Sequence, residues 1–288
     1  MSYEFLLVVR NSFLHPKIFL MRKIFLLVLV FCARHAAAQE LFVFTEPASN
    51  MAAKSMGFRL NNSFMKNNAA DKLNYYLNPE IMWGLSRKIM VHASAFFSNT
   101  NSKFTGNGGS LYLKYRVLSV DDIHNHFRLS AYGKYSFNIS AIQQPAIDLT
   151  GFNSGYEGGF VATQLINKVA LSASTSFLHA TDNGSEKFLW DDNNRNAMNY
   201  TLSIGKLILP KEYTNYKQTN LNLMLELLGQ SNLQTGKNYL DIAPAAQLVF
   251  NSRMIVDLGY RYALIKNLER SSPQGIFVRL EYTIFNVY

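Results

Sequence analysis

The residues with the most obvious chemical potential are grouped in the stretch DDIHNH, which contains Asp121, Asp122, His124 and His126. His124 and His126 are two positions apart, so on a strand both side chains would point to the same side, and zinc or copper accepts such ligands. The stretch also lies between two predicted strands, where a polar turn is expected in any case. The sequence therefore favours a solvated turn at this point, with a metal site as the alternative.

Other arrangements that catalysis requires are missing from the sequence. No Gly-x-Ser-x-Gly element for a nucleophilic serine occurs, and no glycine-rich loop suited to binding phosphates. The carboxylates are scattered along the chain rather than paired. We therefore expect neither an enzyme nor a bound cofactor.

A second set of charged residues is distributed with a period of two. In MIVDLGYRY, residues 254–262, apolar side chains occupy the even positions, whereas Asp257 and Arg261 occupy odd ones. A strand with this pattern has one apolar and one polar face. Thirteen residues share the polar parity and are predicted to line the interior of a barrel: Arg59, Glu80, His92, Lys114, Arg116, Arg128, Lys134, Glu226, Asp241, Asp257, Arg261, Arg279 and Glu281.

The element that must position these side chains is the β-strand, because period-two alternation recurs along the whole chain after residue 54. Twelve strands are predicted, at residues 56–64, 75–85, 89–97, 111–117, 127–137, 155–165, 169–177, 198–208, 221–228, 240–250, 254–262 and 276–288. Their length of about ten residues suits a tilted crossing of a bilayer. Strands of soluble β-sandwiches are about five or six residues long, so a sandwich explains the pattern less well.

The connections between these strands alternate in length. Tight turns such as those after Ser86, Asn167 and Asn251 alternate with longer polar loops such as residues 138–154 and 180–196. Short turns at one end and long loops at the other are typical of outer-membrane barrels. We therefore predict an all-β fold: a closed antiparallel transmembrane β-barrel of about twelve strands over residues 55–288. Both termini would be periplasmic, with residues 39–54 as a short periplasmic segment.

The first 38 residues have the features of a targeting segment. The basic residues Arg22 and Lys23 precede the apolar run IFLLVLVF, and three alanines precede Gln39, as in a secretory signal peptide. We predict a cleavable signal peptide at residues 21–38, preceded by an upstream extension at residues 1–20. Cleavage would remove Cys32, the only cysteine, and would lower the formal charge from +9 to +5, because residues 1–38 carry five bases and one acid.

The chain also resembles a known family in four stretches. These are FTEPASNMAAKSMGFRLNN (44–62), KYRVLSVDDIHNHFRLSAYGKYSFN (114–138), GKLILPKEY (205–213) and LDIAPAAQLVFNSRMIVDLGYR (240–261). They are similar to Gram-negative outer-membrane β-barrel proteins labelled as transporters, and distantly similar to the outer-membrane proteins named for the meta-pathway of phenol degradation. The similarity extends from Gln39 to the end of the chain. It implies a porin-like fold in the outer membrane and does not identify a solute.

The functional expectation is passive passage of small solutes through a charged lumen. The alternative is a non-conducting structural barrel, or one whose outer loops bind a ligand at the cell surface. The expected partners are outer-membrane lipid, the barrel-assembly machinery during insertion and a small solute of unknown identity. An exported protein does not ordinarily meet nucleic acid, so we expect none as a partner.

Overall fold

A computed structural model of the chain describes residues 42–67, 72–100, 103–122, 125–188, 194–212 and 217–288. The predicted upstream extension, the predicted signal peptide and residues 39–41 lie outside the described residues. Within the described part of the chain, no helix is long and apolar enough to cross a membrane.

Twelve antiparallel strands close into a single barrel, in which each strand pairs with its sequence neighbours and β1 pairs with β12. The predicted fold is therefore confirmed. The strands are β1 (Ser55–Lys66), β2 (Leu73–Gly84), β3 (Ile89–Ser98), β4 (Thr105–Asp121), β5 (Asn125–Asn138), β6 (Ser154–Ile166), β7 (Val169–Thr181), β8 (Asn196–Leu209), β9 (Asn220–Asn232), β10 (Asn238–Phe250), β11 (Met254–Lys266) and β12 (Gln274–Ile284).

Every strand differs from its predicted limits by at least one residue, and two of the differences are instructive. β4 begins at Thr105 rather than at residue 111 and therefore includes the stretch TGNGGS, in which three of the six residues are glycine, a residue that is depleted in strands. The backbone of β5 approaches this stretch closely: a Cβ at Gly108 would lie 2.0 Å from the carbonyl oxygen of Phe137. β12 ends at Ile284 rather than at Tyr288, whose hydroxyl donates to the carbonyl of Gly84 at 3.1 Å.

The two faces of the wall have different compositions. On β11, Leu258 and Tyr260 point outward and are exposed, whereas Asp257 is completely buried on the inner face. On β9, Leu223 is exposed on the outside and Glu226 is buried inside. This is the arrangement expected when the outside of a barrel faces lipid and the inside holds polar groups that satisfy one another.

The two ends of the barrel also differ. At one end, strands are joined by short turns such as residues 85–88, 167–168 and 251–253, and both β1 and β12 have their free ends there. Asn167 and Asn251 have positive φ values of 53° and 50° in two of these turns, a conformation that asparagine tolerates better than most residues. We call this end the short-turn end. The opposite end, the long-loop end, carries residues 139–153 and 182–195.

Candidate functional site

The residues that precede the first strand lie inside the barrel. Residues 42–54, which we call the N-terminal segment, run from the middle of the lumen to the short-turn end, where Ser55 begins β1. Phe42 and Ala48 are completely buried there. The sequence predicts a short periplasmic segment at residues 39–54 and does not predict that it lies in the lumen. The inward charges of the wall therefore have a binding partner, the N-terminal segment, which the alternation of apolar and polar residues does not predict.

Glu226 binds the upper part of the N-terminal segment through the backbone. Its carboxylate accepts hydrogen bonds from the N–H groups of Val43, Phe44 and Thr45 at 2.9, 3.0 and 2.9 Å, and from the Thr45 hydroxyl at 2.7 Å. Three successive N–H groups that converge on one anion form a compact anion-binding element. A buried carboxylate is thus compensated without an arginine or lysine in direct contact.

The carbonyl groups of the same segment are bound by cations. The Lys114 ammonium, which is completely buried, donates to the carbonyls of Pro47 and Ser49 at 2.9 Å each. The Arg279 guanidinium donates to the carbonyl of Phe42 at 2.8 Å and also forms an ion pair with Asp257. These charged hydrogen bonds are stronger than neutral ones, so the wall holds the segment largely through its main chain.

An ion-pair network extends these contacts around Arg59. The Arg59 guanidinium contacts Glu281 at 2.9 Å, Glu46 at 2.7 Å and Glu80 at 3.1 Å. Glu46 belongs to the N-terminal segment and lies 3.5 Å from the Lys114 ammonium. Burial by itself would raise the pKa of the Glu46 carboxyl, but the charges of Arg59 and Lys114 outweigh burial and hold that pKa well below its ordinary value. Glu46 is therefore ionised at neutral pH.

Glu46, Glu80 and His92 form one group within the described residues whose ligand atoms could hold a metal ion, since all lie within 4.8 Å of one another. The Arg59 guanidinium, however, already bonds to both carboxylates. His92 directs Nδ1 to Glu80 at 2.8 Å, and its buried Nε2 has no hydrogen-bond partner in the part of the chain described. Because a guanidinium between two carboxylates neutralises the charge that would attract a cation, we interpret this group as an ion-pair network.

The loop between β5 and β6 enters the lumen from the other end. We call residues 139–153 the inward loop. The side-chain amide of Gln230 accepts from the N–H of Ile147 at 2.9 Å and donates to its carbonyl at 2.7 Å. Asn183 donates to the carbonyls of Ser140 and Phe152 at 2.8 and 2.7 Å. Ile142, Ile147 and Leu149 also pack in a buried apolar cluster, so neutral amides and apolar contacts hold this loop.

A chamber of about 410 Å³ lies between the N-terminal segment and the inward loop. Residues 43–46 of the segment contribute to its lining, and Gln144, Ile147, Asp148 and Phe152 of the loop contribute from the other end. The strand walls supply both apolar and charged groups. A cavity of this size is in the range that binds small organic molecules.

A further cluster of ion pairs lies at the long-loop side of the chamber. The completely buried carboxylate of Asp241 binds the guanidinium groups of Arg261 and Arg270. The guanidinium of Arg270, from the β11–β12 loop, also lies over the ring of Tyr239, with 3.7 Å from Cζ to the ring centroid. The Asp241 carboxylate offsets only one of the two guanidinium charges, and the Asp148 carboxylate of the inward loop also interacts electrostatically with Arg261.

The thirteen predicted interior residues all lie on the inner face of the barrel. Six line the chamber: Arg59, Glu80, His92, Lys134, Arg261 and Arg279. Asp241, Asp257 and Glu281 form ion pairs with arginines of the chamber wall. Glu226 and Lys114 bind the N-terminal segment, whereas Arg116 and Arg128 lie closer to the short-turn end, where Arg128 donates to the Ser49 hydroxyl at 2.8 Å. Their role as a pore lining stays a prediction.

The proposed metal ligands lie at the β4–β5 connection. Nδ1 of His126 lies 2.9 Å from the Asp121 carboxylate, which also contacts Arg128 at 3.3 Å. Asp122 is exposed, and His124 lies outside the described residues. An exposed ion pair with an arginine is what a solvated turn would contain, and the metal hypothesis stays a prediction.

Several residues of the chamber were missed by the sequence analysis. Asp148 and Arg270 are in loops that were expected to extend outward, and Glu157 is on β6, where glycines obscure the alternation. Glu46 precedes the first strand, so no period could place it. Glu157 could have been assigned to the inner face, because it is paired across the sheet with Lys134, which the alternation places on that face.

The comparisons with known proteins bear on the fold. No protein-family model matches the chain, and no curated protein sequence does. The crystal structure of an outer membrane channel from Pseudomonas putida F1 matches with a TM-score of 0.54 and 12% sequence identity, over 84% of this chain and 99% of that chain. The NanC porin matches with a TM-score of 0.46 and 10% identity, over 80% of this chain and 98% of that chain. The chain thus has the fold of an outer-membrane β-barrel.

Proposed function

We propose that this protein is an outer-membrane channel that passes small solutes passively along the barrel axis. The observation that supports this best is the chamber inside the barrel, lined by charged groups of both signs. Passive passage needs no nucleotide, metal or covalent step, because selectivity comes from the width and the charge of the lumen. The outer-membrane channel with the same fold is consistent with this function.

In the proposed arrangement, outer-membrane lipid covers the exposed apolar residues of the wall, and both termini are periplasmic. The long-loop end then faces the outside of the cell, as in other barrels with short periplasmic turns. The barrel-assembly machinery would insert the protein into the outer membrane in this orientation.

The N-terminal segment and the inward loop would set the width of the path. The segment narrows the short-turn end, and the loop narrows the long-loop end, so a solute must pass both to cross the chamber. The segment is held by a few identified side chains, chiefly Glu226, Lys114 and Arg279. Weakening these contacts should therefore widen the path.

A liposome-swelling assay tests this function directly. The refolded protein, reconstituted in liposomes, should admit small polar solutes such as glycine and glycerol at a rate that falls with solute size. Liposomes without protein control for leakage. A variant that lacks residues 42–52 should admit the same solutes faster, and failure of both proteins to admit glycerol would contradict the proposal.

The second candidate is a non-conducting structural or surface-binding barrel. The contacts of the N-terminal segment favour it, since donors and acceptors of the segment backbone are bound along residues 42–49. A barrel closed in this way would resemble the small barrels that side chains fill. The swelling assay separates the two candidates, because a closed barrel admits no glycerol at any protein concentration.

A further inference from the structure

The charges that line the chamber differ in whether they are already compensated. Five cationic side chains and four acidic ones line it. The cations are Arg59, Lys134, Arg261, Arg270 and Arg279, and the acids are Glu46, Glu80, Asp148 and Glu157. A solute that enters the chamber will interact most strongly with those charges that have no partner of opposite sign.

Four of the five cations have at least one ion-pair partner in the protein. Arg59 contacts three carboxylates, and Arg261 and Arg270 share Asp241. Arg279 binds Asp257. The Lys134 ammonium, by contrast, has no ion-pair or hydrogen-bond partner within the described ranges, although it is only partly exposed and lines the chamber.

One of the four acids lacks a cation as well. Glu157 accepts hydrogen bonds from the hydroxyls of Tyr132 and Ser176 at 3.0 and 2.6 Å. It has no ion-pair partner within 4 Å among the residues that the structure describes, and its neutral donors orient the carboxylate without neutralising it. Asp148, by contrast, lies close enough to Arg261 to interact with its charge.

The positions of these two groups place opposite charges side by side. Lys134 on β5 and Glu157 on β6 are directly paired across the sheet, where Cβ atoms lie about 4.5–5.5 Å apart. The chamber therefore presents one ammonium and one carboxylate on neighbouring strands, each without an ion-pair partner among the described residues.

We propose that the chamber binds small zwitterions, with the solute carboxylate at Lys134 and the solute ammonium at Glu157. This inference rests on the proposed channel function and specifies the solute class. A purely anionic solute would be repelled by Glu157, and a purely cationic one by Lys134 and the neighbouring arginines. A solute that carries both charges complements the site.

Equilibrium binding to the refolded protein in detergent, at neutral pH, tests the site independently of transport. The probes are L-alanine, L-lactate, which lacks the ammonium, and 2-aminopropane, which lacks the carboxylate. L-alanine should bind at least about tenfold more tightly than either, which corresponds to about 1.4 kcal/mol. Equal binding of all three probes, or no binding of L-alanine, would overturn the inference.

Two variants assign the roles. Lys134→Met should reduce alanine binding to the level of 2-aminopropane, and Glu157→Gln should reduce it to the level of lactate. Lys237→Met is the matched control, because Lys237 is exposed at the β9–β10 connection and does not line the chamber. Heat-modified electrophoretic mobility verifies that each variant is folded, and Lys134→Gln replaces Lys134→Met if the latter does not refold.

The outcomes for the two proposals are separable. A protein that admits glycerol into liposomes but binds alanine no better than lactate retains the channel function and loses the zwitterion site. A protein that binds alanine selectively but admits no solute loses the channel function and retains the site. Unchanged alanine binding in both the Lys134 and the Glu157 variants would contradict the assignment of the residues.

Discussion

The N-terminal segment and the inward loop fill the same lumen from opposite ends, but they are held by different forces. Buried charges bind the backbone of the segment. Glu226 accepts hydrogen bonds from three successive N–H groups, and Lys114 donates hydrogen bonds to two carbonyls. The neutral amides of Gln230 and Asn183 and an apolar cluster hold the loop. Loss of a hydrogen-bond partner costs more free energy for a buried charged group than for a buried neutral one. Single substitutions should therefore weaken the binding of the segment more than that of the loop.

The largest effect is expected for Glu226→Ala. The substitution leaves the N–H groups of residues 43–45 without their acceptor, and we expect a loss of about 3–5 kcal/mol in the free energy of unfolding, measured by urea titration of the protein in lipid vesicles. Glu226→Gln should lose less stability, since its single amide oxygen can still accept from Val43 and Phe44, whereas its NH2 group cannot accept from Thr45. A loss below about 1 kcal/mol in the alanine variant would mean that the segment contributes little to stability.

Leu223→Arg tests the opposite face of the same strand. Leu223 is 48% exposed on the outer wall of β9, so an arginine there must enter the lipid. We expect a destabilisation of about 2–4 kcal/mol for a site near the bilayer midplane, measured by the same titration. Normal insertion and unchanged stability would indicate that the outer wall does not face lipid.

A smaller effect is expected for Gln230→Ala, which removes both hydrogen bonds to the backbone of Ile147. We expect a loss of about 1–3 kcal/mol, with faster proteolysis of the inward loop. Gln234→Ala, in the exposed β9–β10 turn, serves as the control. If Gln230→Ala proved more damaging than Glu226→Ala, the contrast between segment and loop would be wrong.

The smallest effect concerns pH. Because the pKa of Glu46 is lowered in the folded protein, its contribution is fully present above its ordinary pKa of 4.5 and is lost as the pH falls toward the folded value. The segment should therefore stay bound between pH 8 and pH 5 and loosen only below about pH 4.

The rate at which 4,4′-dithiodipyridine reacts with Met51→Cys, relative to its rate with free cysteine at the same pH, reports this change, because Met51 is 7% exposed in the bound segment. Glu46→Gln should shift the loosening and leave the barrel folded. A reaction rate that already rises between pH 7 and pH 5 would contradict the assignment to Glu46.

The sequence predicts the barrel well because the two faces of each strand meet different solvents. Residues such as Leu223 and Asp257 therefore follow a period of two that needs no tertiary information. The limits of β4 were wrong because close backbone packing at Gly108 outweighs the low strand propensity of glycine. Alternation likewise identified Glu226 and Lys114 as inward residues.

The partners of those residues could not be predicted. The N-terminal segment has no period, since its backbone rather than its side chains makes most of the contacts with Glu226 and Lys114. The inward loop contains Ile142, Ile147 and Leu149, whose apolar character indicated burial, but no periodicity marks Asp148 as a lumen residue. The inward residues of the barrel wall can thus be predicted from the alternation of apolar and polar residues. The N-terminal segment and the inward loop, which fill the lumen, are positioned by long-range contacts between residues as far apart as Val43 and Glu226.

We expect the inner charges of the wall to hold the N-terminal segment in the path of the solute. Single-channel conductance in planar bilayers tests it most directly, with the complete protein compared with the variant that lacks residues 42–52. We expect discrete conductance steps for both, with clearly larger steps for the shortened protein. Steps of equal size in the two proteins would contradict the claim.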